Sequence, residues 1–293
     1  MYGECHAHII MDGKNYKQAV SLHKNGVQDF VIHEHFKCYQ KAGISFVRDG
    51  GDALGVSARA KELAADYGID YRTPVFAIHK NGYYGGIVGK GFDTIEEYAA
   101  LTAEVSKRHG DFIKIMASGI LDFDEFGKVS TPLQDPELIC KMVSIAHEEG
   151  FAVMVHVNTP TQIRYALEAG CDSIEHGYYM DDTCRRLFTQ TGAVWVPTLA
   201  TCASLRGCGR FSEEAVARIT RCHMENVRLA LLQNVPIAPG SDAGAYLVPH
   251  AAGTCDEIRY LKEACQGDPL LLSKLQETLT KSQKLIEEKF CRP

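Results

Sequence analysis

Short β-rich runs and longer amphipathic segments alternate along almost the whole chain, and this alternation restricts the fold more than any other feature of the sequence. Candidate strands occupy 2–9, 44–48, 73–79, 112–117, 152–157, 173–176, 193–198 and 236–242. Several carry consecutive apolar residues (VMV, VWV), as parallel strands buried on both faces should. Helical patterns lie between them at 57–67, 94–109, 136–149, 161–169 and 213–233. Many of these stop at a glycine (Gly68, Gly110, Gly150, Gly170), the residue that most readily takes the left-handed helix-ending conformation. Eight strands alternating with helices predict an α/β fold of the (β/α)8 TIM-barrel type. An open doubly wound sheet is the alternative, but no G-x-G-x-x-G follows the first strand. The stretch from about 262 to 293 reads as a C-terminal helical extension that closes the barrel or packs on its outside. No repeat, low-complexity tract or linker divides residues 1–293, so one domain is expected.

Composition narrows the function. A net charge of −6 without a concentrated Lys/Arg stripe argues against a nucleic-acid partner. Eleven cysteines, an odd number with no C-x-x-C pair, read as buried thiols in a reducing cytosol rather than a disulfide or structural zinc scaffold. The opening Met-Tyr-Gly-Glu-Cys-His has no secretory pattern, and no apolar run reaches the ~18–20 residues of a membrane span. The expectation is a cytoplasmic protein acting on a small molecule, without a membrane partner.

In a barrel the C-terminal ends of the strands converge on one mouth. Reading those positions in order gives His6 and His8, Arg48, His79, Lys114, His156, His176, Thr198 and Asp242. Residues two apart on a strand project to the same side, so His6 and His8 can grip one ion together. With His156, His176 and Asp242 they offer imidazole and carboxylate ligands that suit a divalent metal, zinc first among them. Lys114 stands out, because an ammonium ending an apolar strand is costly to bury and would repel a cation. Carboxylation by CO2 would turn it into a carbamate able to bridge two ions. A lysine that snorkels to the mouth, or pairs with Asp49 or Asp242, is the alternative. Arg48 and Asp49 read as an ordinary ion pair and turn, or as a brace for the mouth.

The segments ECHAHI, FIKIMASG, VMVHVN, SIEHG and APGSDAG, spread from Tyr2 to about His250, resemble the amidohydrolase superfamily, in particular its prolidase-like and imidazolonepropionase-related branch. That resemblance implies a binuclear centre. His6, His8 and Asp242 would hold the more buried metal and His156 and His176 the more exposed one, with carboxylated Lys114 and a hydroxide bridging them. It further implies hydrolysis of a C–N bond in a peptide-like or cyclic amide, with Asp242 carrying the proton from nucleophile to leaving group. His79 is the first candidate, and Tyr178 the second, for a donor to the tetrahedral intermediate. Members of this branch usually carry a small β-sandwich flanking the barrel, and this sequence begins directly on the first strand. The outer face that a sandwich would cover is then a surface for solvent, for the C-terminal helices or for a homo-oligomer.

Substrate choice is expected from the longer loops, through Tyr83, Tyr84, Arg206, Arg210 and His250, with the glycine-rich tract 82–91 as a lid. Phosphotriester or lactone hydrolysis is an alternative on the same metal pair. A mononuclear deaminase is a further one, disfavoured by the missing H-A-G-E segment. A non-enzymatic metal-binding protein gives no reason for an open site beside Asp242.

Overall fold

The computed structural model describes residues 2–292. Among the described residues there are nine strands: β1 Glu4–Ala7, β2 Phe46–Asp49, β3 Asp70–Arg72, β4 Ala77–Lys80, β5 Gly89–Phe92, β6 Ile113–Met116, β7 Val153–Val157, β8 Ser173–His176 and β9 Val194–Val196. Every pairing is parallel, in a three-stranded sheet β1-β2-β3 and a six-stranded sheet β5-β4-β6-β7-β8-β9. Strands β1, β2, β6, β7, β8 and β9 are buried along their whole length, which explains apolar runs without alternation.

The segment 236–243 runs between the two sheets. Isolated parallel bridges join Ile237 to Trp195 and Ala243 to Ala7. Cys5 N–H donates to Pro239 O (2.9 Å), and Asp242 N–H to His6 O (2.8 Å). The sequence pattern predicts a full strand here, and the structure replaces it with single bridges. Pro236 and Pro239 have no N–H to give a ladder. Gly240 lets the segment pass close by, since a Cβ there would lie 2.9 Å from His6 N.

Two other expectations change. The single strand expected at 73–79 resolves into β4, which begins only at Ala77, and a preceding β3 in the other sheet. The glycine tract expected to be a lid is partly β5, hydrogen-bonded along β4. Its glycines serve close approach: a Cβ on Gly89 would sit 2.0 Å from Ala77 O, and one on Gly91 would meet His79 at 3.0 Å.

The helices carry the local signals that the sequence suggests. Ile95–Lys107 opens on a capping box of Thr94 and Glu97, and Pro136–Glu148 on Asp135 followed by proline. The C-terminal extension is two helices, Ala252–Ala264 and Pro269–Lys289, parted at Gly267 (φ 78°). The second brings Ile286 and Phe290 into a buried cluster with Cys5, Phe46, Phe112 and Met154. Among the described residues, no helix is long and apolar enough to cross a membrane.

Candidate metal centre and active site

The site is built outward from a buried charge network. Arg48, on β2, is fully buried and donates from Nη2 to Glu175 Oε1 (2.8 Å), from Nη1 to Ser173 Oγ (2.9 Å) and from Nε to Cys5 O (2.7 Å). Phe290 lies under the guanidinium, 4.4 Å from its centre. The other oxygen of Glu175 accepts from His6 Nδ1 at 2.7 Å. A carboxylate on Nδ1 fixes the imidazole tautomer and its plane, and it leaves Nε2 bare for a ligand.

Nε2 of His6 faces two groups: Lys114 Nζ, which donates to it at 3.0 Å, and Asp242 Oδ1 at 3.7 Å. His8 Nε2 lies 3.5 Å from the same carboxylate oxygen. The other histidines follow the same logic of one ring nitrogen tied back. His156 Nε2 donates to Gly119 O (3.1 Å), leaving Nδ1 available. His176 Nδ1 is hydrogen-bonded to Thr198 Oγ1 (2.8 Å), leaving Nε2. Ring centres of His6 and His176 are 4.9 Å apart, and those of His156 and His176 4.5 Å, so all four imidazoles share one small volume.

Electrostatics match that grouping. Burial holds the His6, His8 and His176 imidazoles well below the usual histidine range and His156 down to about 3, with Lys114 adding to the effect. All four are neutral, the form in which imidazole ligates metals. Burial lowers Lys114 to about 8, against the pull of Glu175, Asp242 and Asp49. Burial also pushes the Asp242 carboxyl up, opposed by Lys114.

The donor set fits a divalent cation. Ligand atoms of His6, His8 and Asp242 lie within 4.8 Å of one another. Asp242 Oδ1 is sealed from solvent and has no hydrogen-bond partner, an arrangement that a bound cation would relieve. The space is kept open by Gly50, where a Cβ would sit 2.2 Å from His8 Cε1 and 2.7 Å from Lys114 Nζ. His176, Thr198 and Asp242 adopt left-handed backbone (φ 68°, 54° and 61°), each at about 1–3 kcal/mol of strain. Such strain, in three non-glycine residues around one cavity, turns their side chains toward a common point at the expense of stability.

Beyond these groups opens a cavity of about 340 Å3 whose wall includes His8, Lys114, His156, His176 and Asp242. Tyr84 and Tyr178, expected near the site, are in that wall. Tyr84 packs 5.3 Å from His156, and Tyr178 stacks parallel to His176 with its hydroxyl engaged by Thr201. The other expected residues lie elsewhere. His79 is covered by Gly85 and Gly91 and hydrogen-bonds from Nδ1 to Lys80 O (3.0 Å). Tyr83 packs on the main apolar core. Arg206 is paired with Glu263 (2.8 Å). Arg210 lies over Tyr246, a wall residue, at 4.4 Å. His250 is buried between Tyr39 Oη (3.0 Å) and Met11 O (2.8 Å). None of these five is in the cavity wall.

Sequence reasoning missed Glu175 as the partner of His6, and Asn158 in the wall. For Glu175 a signal existed, an acidic residue inside the apolar strand SIEH. For Asn158 there was none.

An ochratoxinase of Aspergillus niger is 26% identical over 210 residues, which is 69% of this chain and 41% of that protein. The chain thus spans about two-fifths of the length of this curated relative. The crystal structure of the A. niger ochratoxinase superposes with a TM-score of 0.78 at 20% identity, over 97% of this chain and 71% of that one. A Xaa-Pro dipeptidase with bound methionine gives 0.75 at 22% identity, over 98% and 75%. Both likenesses show a shared fold. The amidohydrolase family profile matches residues 5–273, all but the ends of the chain, and the chain belongs to that family.

Proposed function

We propose that this protein is a binuclear metal-dependent amidohydrolase that hydrolyses a C–N bond in a small molecule. The observation that carries the reading is the meeting of four neutral imidazoles, an unpartnered carboxylate oxygen and a buried lysine at one cavity. In this reading the two sheets and the segment 236–243 make one closed (β/α)8 barrel, and residues 1–293 act as a single catalytic unit. The linking bonds at Ala7 and Trp195, and Asp52 N–H to Val75 O (3.1 Å) on the opposite side, support it.

His6 and His8 through Nε2, with Asp242, would hold one ion. His156 through Nδ1 and His176 through Nε2 would hold the other. Two bound divalent ions, zinc first among them, supply an acidified water and a Lewis acid for the scissile carbonyl. Lys114 would serve both ions as a carbamate: its neutral Nζ would add to CO2, forming an N–C bond and releasing one proton. Burial supports this form, because Lys114 is 1% exposed and does not reach solvent. Among the described residues it makes no ion pair with a carboxylate. Asp49, the partner weighed from sequence, is already engaged by Ile9 N–H, Gly51 N–H and Ser57 Oγ.

Asp242 takes the proton of the attacking water and returns it to the leaving nitrogen. Tyr178 holds the plane of His176 by stacking, while His79 supports the wall from behind the glycine loop. The test is metal content and turnover of protein produced with zinc and bicarbonate. Two metals per chain and amide hydrolysis are expected, and a reproducible single metal refutes the binuclear centre. Lys114→Ala should lose activity and one metal, with partial recovery in short carboxylic acids. Full activity in that variant would exclude the carbamate.

A further inference from the structure

The cavity wall is largely apolar. Apart from the metal-facing groups, Asn158 and Thr201, it is built of apolar and aromatic side chains, among them Met11, Tyr84, Ile120, Phe123, Leu205 and Phe211. Lys114 is the one Lys or Arg in the wall among the described residues, and the proposed centre uses it. Arg210 does not enter the cavity; its guanidinium lies on the rings of Tyr246 (4.4 Å) and Phe211 (5.1 Å). A substrate carboxylate placed against this wall, away from the proposed metal centre, would lose its water without gaining a counter-ion, which is among the costlier transfers in protein chemistry.

Asn158 is the second observation. It lines the cavity and is 2% exposed. Its Nδ2 donates to Gly119 O at 3.0 Å, which sets the orientation of the amide, and its Oδ1 has no partner. A buried acceptor left single beside a ligand cavity calls for a donor from the ligand.

We infer that the substrate is an uncharged secondary amide with apolar groups on both sides of the scissile bond, its N–H received by Asn158 Oδ1. This rests on the hydrolase reading above and sharpens it. It separates the protein from enzymes of Xaa-Pro dipeptides, whose scissile nitrogen carries no hydrogen and whose neighbouring carbon carries a carboxylate. Hydrolysis adds water across the C–N bond and releases an apolar acid and a primary amine.

A matched trio tests it on the metal-loaded protein: N-benzyl phenylacetamide, its N-methyl derivative, and N-phenylacetyl phenylglycine, which adds a carboxylate at the benzylic carbon. The parent should exceed each derivative in kcat/KM by about tenfold or more. Asn158→Leu should shrink the ratio of parent to N-methyl derivative and leave the ratio of parent to carboxylate derivative in place. Equal or better turnover of either derivative by the unmodified protein overturns the inference while the hydrolase reading stands, and this comparison needs no variant to fold. An unchanged parent-to-N-methyl ratio in a folded Asn158→Leu protein overturns the role of Asn158. If the two-metal protein turns over none of the trio and no Xaa-Pro dipeptide, the hydrolase reading falls and the inference with it.

Discussion

The Arg48–Glu175–His6 network makes a sharp expectation about how stability and metal affinity are coupled. Arg48→Met keeps the length of the side chain over Phe290 but removes the cation from a fully buried pair at 2.8 Å. Direct Coulomb attraction at that distance is about 6 kcal/mol at an effective dielectric near 20. The observable cost is smaller, about 3–5 kcal/mol, because the comparison is with a buried carboxylate that takes a proton when its partner is gone. For a chain of 293 residues that corresponds to a fall in Tm of roughly 5–8 °C. Glu175→Gln leaves Arg48 buried without a charge partner and should cost a similar amount.

The double variant Arg48→Met with Glu175→Gln has no stranded charge. It should cost at least about 2 kcal/mol less than the sum of the two single changes. Denaturant titration of all four proteins measures this coupling, and chelator competition on the same samples reads metal affinity. Affinity should drop about 10- to 100-fold in both variants that alter Glu175, since His6 loses the anion on Nδ1. Single costs that add within about 0.5 kcal/mol would refute the network as a coupled unit.

Gly50→Ala should lower metal content and stability together, by about 1–3 kcal/mol, because its Cβ would fall 2.2 Å from His8 Cε1; mass spectrometry for metal and a thermal melt check it. Stripping the metals with a chelator should lower stability by about 4 kcal/mol relative to protein held at a free metal concentration 1,000-fold above the dissociation constant, measured by melting with and without added zinc. A pH effect is expected outside the proposed ligand set, where the His35 ring lies 4.0 Å from that of His250 and burial lowers it to about 2. Its folded value lies below the unfolded one, so the unfolded chain binds the extra proton. Stability should therefore be intact above pH 6.5 and decline as pH falls below it, at up to about 1.4 kcal/mol per pH unit for this residue. His35→Phe should flatten that slope between pH 6.5 and 5 in denaturant titrations, and an unchanged slope would exclude His35 as its source.

Much of the centre was legible because strand periodicity is short-range. His6 and His8 alternate with Cys5 and Ala7, so their shared direction follows from the pleat alone. His156 and His176 lie at or next to the ends of β7 and β8, where the sequence pattern puts them, whereas Lys114, expected to end its strand, is the second residue of β6 (Ile113–Met116). Asp242 was found for a partly mistaken reason, because its segment is held by bridges and a left-handed turn rather than by a full strand. The loops resisted reading. Arg206, Arg210 and His250 have the chemistry of substrate contacts, but whether a loop cation meets ligand, Glu263 or an aromatic ring depends on contacts far away in sequence. Glycines misled in the same way at 82–91, where the pattern of a flexible tract is also that of a backbone pressed against its neighbour.

The bonds between β1 and the segment 236–243 have a consequence for how the molecule comes into being. Ser241 and Thr254 both hydrogen-bond to Glu4, across 237 and 250 residues of chain. His6 and His8 therefore leave the ribosome long before Asp242 and meet it only after the chain between them has been made. Contacts of such long range form late. A nascent or prematurely ended chain has two histidines and no carboxylate to complete the first ion site. In the proposed reading, metal capture would be tied to completion of the fold, and a released chain that holds its ions would already have passed its own test of assembly.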